Sequence, residues 1–115
     1  MLCSTKKGET NLAEEVWTII KYKPKEGCEK EFLDSLRRLK KIMKEIKDYD
    51  FVNEFIKIDS TGEYVQIARM PNIEATIDGQ IEGLEWLDSV DHLLEKYENE
   101  SRTDAFSGIT LPVDD

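Results

Sequence analysis

Phe32, Leu36, Leu39, Met43 and Ile46 follow one another at steps of four, three, four and three, and Leu33 and Ile42 widen the row. That period puts the apolar positions on one side of a coil with 3.6 residues per turn, and it predicts an amphipathic helix over Gly27 to Lys47. The acids Glu29, Glu31 and Asp34 stand in its first turns. The bases Arg37, Arg38, Lys40, Lys41, Lys44 and Lys47 come later. This order suits both ends of the helix dipole, so the basic cluster is accounted for without a ligand.

Elsewhere the apolar residues alternate over short runs. Glu15 to Tyr22, EVWTIIKY, is rich in β-branched and aromatic residues and reads as a strand ended by Pro24 and Gly27. Phe51 to Ile58 and Tyr64 to Arg69 alternate on either side of the Asp59–Gly62 turn, which predicts an antiparallel hairpin. From Asn72 the helical period returns in two pieces. The first is capped by Asn72 and carries Ile73 and Ile77. The second, from about Leu84, repeats Trp86, Val90, Leu93 and Tyr97 at four, three and four. Gly79 and Gly83 between them predict a helix kinked or broken there and ending around Asn99 to Arg102, with Asp88 and Ser89 as a local cap where it restarts. Ala105 to Val113 reads as a last strand. Residues 1–12 are expected to be a flexible N-terminal arm and residues 13–115 a single domain.

The order strand, helix, strand, strand, helix, strand predicts an α+β fold, the ferredoxin-like βαββαβ sandwich, with both helices on one face of an antiparallel four-stranded sheet. Both sheet faces are nevertheless apolar. Trp17 and Ile19 oppose Val16 and Ile20; Val52, Ile56 and Ile58 oppose Phe51 and Phe55; Val65 and Ile67 oppose Tyr64 and Ala68. One layer of helices covers only one of these faces. The economical cover for the other is a second copy of the chain packed sheet against sheet, so a homodimer is expected.

Composition narrows the partners. The net charge is −9 with 36% charged residues, and residues 71–115 alone carry −10. Nucleic acid and anionic membrane surfaces are therefore not expected partners. Cys3 and Cys28 form neither a disulfide framework nor a metal pair. No metal site is expected: Glu82, Glu85 and Asp88 step by three but read as a solvated helix face. Without an apolar leader or a span of about 20 apolar residues, the chain is expected to be soluble and cytoplasmic.

A strand followed by Lys23-Pro24-x-x-Gly27 and a helix opening on Phe32, then a hairpin, then a helix near Trp86-x-Asp88-Ser89, resembles the dimeric α+β-barrel superfamily, whose best-known members are the antibiotic-biosynthesis-type monooxygenases. The resemblance implies a ligand cavity between the sheet and helices of each subunit. Some members of the superfamily oxidise aromatic substrates without a cofactor, and others bind or degrade haem. For haem, Trp86 and His92 are the counterparts by chain order, but the first strand holds no Asn, since Asn11 precedes it. A site without cofactor is therefore expected ahead of a haem site. The residues expected at a ligand are Trp86, Tyr64, Trp17, Phe55 and Asn53, with Tyr22, Asn53 and Gln66 as alternative sources of a polar group among aromatics. Two readings stand: a dimer binding a small apolar or aromatic molecule, with cofactor-independent oxygenase activity in view, and a non-catalytic dimeric structural or regulatory module.

Overall fold

The computed structural model describes residues 15–46 and 52–113, apart from the side chain of Ile46. The expected arm over 1–12, with Cys3 and Asn11, lies outside the described residues, as do Lys47, the expected break at Asp48-Tyr49-Asp50 and Phe51.

Strand β1 is Val16–Tyr22, helix α1 Glu29–Ile46, strand β2 Val52–Ile58, strand β3 Glu63–Met70, helix α2 Ile73–Asp78, helix α3 Gln80–Val90 and strand β4 Asp104–Ile109. A single 3-10 turn, Asp91–Leu93, follows α3. The strands form one sheet in the order β2-β3-β1-β4 with every neighbouring pair antiparallel, the ferredoxin-like arrangement expected from the pattern. The second helix is broken at Gly79, as its glycines predict. Asn72 caps the first piece: its Oδ1 accepts a hydrogen bond from the Ala75 amide at 2.9 Å.

Register decides which side chains meet. Ile20 stands opposite Gln66 and Ala105, Tyr22 opposite Tyr64, and Phe55 opposite Gln66, so these side chains share the face beneath the helices. On it Tyr22, Tyr64 and Met70 join Phe32, Leu36, Leu39 and Met43 of α1 and Trp86 and Val90 of α3 in one core. Phe32 is wholly buried at its centre. Its ring centroid lies 5.4 Å from Tyr22, 5.6 Å from Tyr64 and 6.1 Å from Trp86, tilted and edge-on contacts of the kind aromatic quadrupoles favour. The opposite face carries Trp17, Ile19, Val65, Ile67, Ile56 and Phe106 with no element laid over it among the described residues.

Two boundaries differ from the sequence reading. Helix α3 ends at Val90 rather than near Asn99 to Arg102, although the period of apolar residues runs on to Tyr97. The competing interaction is backbone pairing with the loop after β1. The Lys25 amide donates to the Leu93 carbonyl at 2.7 Å and the Glu95 amide to the Lys23 carbonyl at 2.8 Å, forming a bridge between Pro24 and Leu94. Leu93 and Leu94 are buried by this bridge instead of by a helical stripe. Strand β4 stops at Ile109, short of the expected Val113: Ile109 stands opposite Val16, the first residue of β1, beyond which, among the described residues, only the Thr110 amide bonds on, to the Glu15 carbonyl at 3.1 Å.

Candidate functional site: a cavity between sheet and helices

A cavity of about 290 Å³ opens between the helix-facing side of β1, β3 and β4 and the inner side of α1, α2 and α3. It exists because the broken helix presents Gly79 and Gly83 to the sheet. Neither glycine has a side chain to fill the gap, and a Cβ on Gly83 would meet nothing within 4 Å. Ile20, Leu39, Met43, Met70, Leu84 and Leu87 supply apolar wall. None of the described residues around the cavity is charged.

The polar part of the wall is a chain of hydrogen bonds. The Tyr22 hydroxyl donates to Gln66 Oε1 at 2.7 Å, and Gln66 Nε2 donates to Asn53 Oδ1 at 2.9 Å. Asn53 Nδ2 is buried with no hydrogen-bond partner among the described residues. Tyr22 and Gln66 border the cavity itself, while Asn53 borders a separate surface cleft beside Lys40 and Lys44. Burial pushes the Tyr22 phenol above its ordinary range, so at neutral pH it is a neutral hydroxyl with lone pairs left to accept from a ligand. Nearer β4, Thr18 Oγ1 and Ser107 Oγ share a hydrogen bond of 3.2 Å at the cavity edge.

The residues expected at a ligand fall in different places. Trp86 borders the cavity, with its ring edge-on to Tyr22 at 5.6 Å and its Nε1 donating to the Ser35 carbonyl at 2.8 Å. The indole thus offers a ligand its surface, not its N–H. Asn53 reaches the cavity only through Gln66. Tyr64 packs on Phe32 in the core and Phe55 packs half-buried against it; neither borders the cavity. Trp17 lies on the open sheet face, where its Nε1 donates to Thr110 Oγ1 at 2.8 Å. Thr18, Thr76, Thr103 and Ser107, all at the cavity, carry no sequence signal that separates them from surface hydroxyls.

Asp88 and Ser89 stand in the last turn of α3 rather than at a cap. Asp88 pairs with Arg102 at 2.7 Å, and Ser89 Oγ accepts from Arg38 at 2.9 Å while donating to the Trp86 carbonyl at 2.6 Å. His92 is exposed on the 3-10 turn, and neither it nor half-buried Cys28 borders the cavity. The described wall therefore offers haem iron neither an imidazole nor a thiolate. Among the described residues no three His, Cys, Asp or Glu gather as metal ligands, and no helix is long and apolar enough to cross a membrane.

The same fold occurs in solved structures. Rv0793 from Mycobacterium tuberculosis matches with a TM-score of 0.65 at 14% identity, over 88% of this chain and 97% of the other. An antibiotic biosynthesis monooxygenase candidate from Bordetella bronchiseptica matches with a TM-score of 0.65 at 10% identity, over 85% and 98%. A nipsnap family protein of unknown function from Agrobacterium tumefaciens matches with a TM-score of 0.55 at 18% identity, over 87% and 89%. No family model matches the sequence, and no curated protein matches it. The chain therefore shares its fold with those three proteins, and at identities of 10 to 18% the likeness is one of architecture alone.

Proposed function

We propose that this protein binds a small, uncharged, largely apolar or aromatic molecule in the cavity under the broken helix, and that it does so as a homodimer joined through the open sheet face. The observation that carries the reading is a wall without charge in which one buried hydroxyl, Tyr22, is held by Gln66. An ionised ligand would leave water for a site with no counter-charge, at a cost of several kcal/mol. A neutral ring with one oxygen or nitrogen meets no such penalty. It lies against Trp86 and hydrogen-bonds to the Tyr22 hydroxyl, much as ligand pockets generally combine apolar walls with a few placed polar groups. The likeness to a monooxygenase candidate supports the choice of site. Cofactor-free oxygenation begins by deprotonating the substrate, and the described wall holds no His, Asp, Glu or Lys to accept that proton. Binding is therefore the function assigned.

A matched pair of dyes tests this. N-phenyl-1-naphthylamine is uncharged, and 8-anilino-1-naphthalenesulfonate is its sulfonated, anionic analogue. The uncharged dye is expected to bind at least tenfold more tightly, to quench the fluorescence of Trp86, and to lose that quenching in Trp86→Phe while Trp17 still emits. Equal affinity for both dyes, or quenching that survives in Trp86→Phe, would place binding elsewhere.

A further inference from the structure

The outer side of the broken helix carries a row of apolar side chains of which only the last, Leu84, also borders the cavity. Ile73, Ile77, Ile81 and Leu84 are spaced four, four and three residues apart and are 63, 55, 68 and 56% exposed. Only Gly79 (φ −94°, ψ 1°) separates the two pieces, and the Gly83 amide donates back to its carbonyl at 3.0 Å, so the exposed apolar side chains of the first piece are followed at helical spacing by those of the second. One residue further on at every step stand Glu74, Asp78, Glu82 and Glu85, an acidic row beside the ridge. Residues 70–91 hold six acids and neither Lys nor Arg; two of the six, Asp88 and Asp91, pair with Arg102, so the border of the ridge is the other four. Lone exposed aliphatics are ordinary, but a continuous exposed ridge with a polar border is the mark of a contact surface.

We propose that this ridge and its acidic border dock a basic amphipathic helix of another protein. Apolar side chains at steps of four and three are what the ridge of a partner helix packs between. An acidic row at the same steps selects Lys or Arg at the edge of that partner and steers its approach. A second copy of this chain fits poorly. Among the described elements the strongly basic one is α1, and among its described large apolar side chains only Leu33 counts as exposed, at 36%. An anionic lipid surface is repelled by the acids.

The probe is a fluorescein-labelled 18-residue peptide of leucine and lysine with the leucines at helical spacing, followed by anisotropy, with a scrambled peptide of the same composition as the control. The expected result is binding of the patterned peptide with a Kd on the order of 10 µM, weakened by salt, and at least tenfold weaker binding of the scrambled one. The variant Ile77→Lys/Ile81→Lys should lose at least tenfold in affinity. Both side chains are exposed, so its melting temperature should stay near that of the parent. Glu74→Gln/Glu85→Gln should lose a few fold and most of the salt dependence, whereas Ile56→Lys, on the open sheet face, should bind as the parent does. Equal binding of both peptides, or full affinity in Ile77→Lys/Ile81→Lys, overturns the proposal. A change in native mass in that variant would assign the ridge to contacts between copies, and co-sedimentation of the parent with phosphatidylcholine vesicles would assign it to lipid; either also overturns it. None of the ridge and border residues substituted here (Glu74, Ile77, Ile81 and Glu85) borders the cavity, so the two proposals stand or fall separately.

Discussion

Tyr22 is the residue on which core and cavity meet. Its ring packs on Phe32 and Trp86 while its hydroxyl serves Gln66. Tyr22→Phe keeps the ring and strands the buried Gln66 carbonyl oxygen, and is expected to cost about 1–2 kcal/mol, read as a lower urea midpoint at unchanged slope. The same substitution should weaken binding of the uncharged dye. The phenol also makes stability depend on pH. Burial holds its pKa above the ordinary value of about 10 that applies in the unfolded chain. The native state therefore keeps a proton that the unfolded state sheds. The stabilisation is fully present below about pH 10 and declines as pH rises beyond it. Tyr97 acts in the same direction, raised first by burial and then by its hydrogen bond of 2.7 Å to Glu63. Urea midpoints followed from pH 8 to 11 should fall less steeply in Tyr22→Phe than in the parent, and less steeply again in Tyr22→Phe/Tyr97→Phe. A parallel fall in all three would remove the phenols from the account. From the sequence, Tyr22, Asn53 and Gln66 were three alternatives of equal standing. What joins them is the register of three antiparallel strands, and non-local pairing of that kind leaves no mark in local periodicity.

Among the elements, α1 was fully legible because eighteen residues of strict period leave one packing solution. Its dipole-matched charges, long apolar stripe and Phe32 anchor all agree. The second helix was legible through its break and on to Val90, but not in where it ends. The period continues through Leu93 to Tyr97, but the Lys23–Lys25 loop competes for the same backbone groups and wins, a tertiary bond that no window of sequence contains. The break itself is where fold and site trade against each other. Gly83 lies inside α3 with open space where a Cβ would stand. Gly83→Ala should therefore stabilise the helix by up to about 1 kcal/mol. Gly83 borders the cavity, so the added methyl is expected to narrow it, and dye affinity to fall as the melting temperature rises. A rise in both would mean that the glycine does not hold the cavity open. Asn72→Ala gives the complementary result. Loss of the bond to the Ala75 amide should cost about 1 kcal/mol and loosen α2, and hydrogen exchange of the amides of Ala75 and Thr76 would report it.

For the whole molecule, the deciding feature is the second sheet face. Across its centre Phe106 stands opposite Ile19 and Ile19 opposite Ile67; one step along, Val65 stands opposite Ile56. Charges stand further out on the same face, Lys21 paired with Asp104 at 3.6 Å and Arg69 with Glu15 at 2.8 Å. An apolar centre with a charged rim is how a protein interface is built, and on a sheet it also specifies register, because a one-residue slip would bring rim charges onto the apolar centre. This two-faced pattern was visible in the sequence, since alternation fixes which side chains share a face even when nothing says what covers them. Its consequence is testable through one pair. Ile19→Lys/Ile67→Lys places two cations side by side at the centre. If a second copy covers this face, the parent elutes at twice the mass of the 13.4 kDa chain by light scattering and the variant at the chain mass, with lower stability that no longer depends on protein concentration. The described lining of each cavity comes from one chain, so the monomeric variant should still bind the uncharged dye within a few fold of the parent. Loss of binding along with the dimer would show that the partner completes the site; a parent that already runs as a monomer would leave the open face to some other cover.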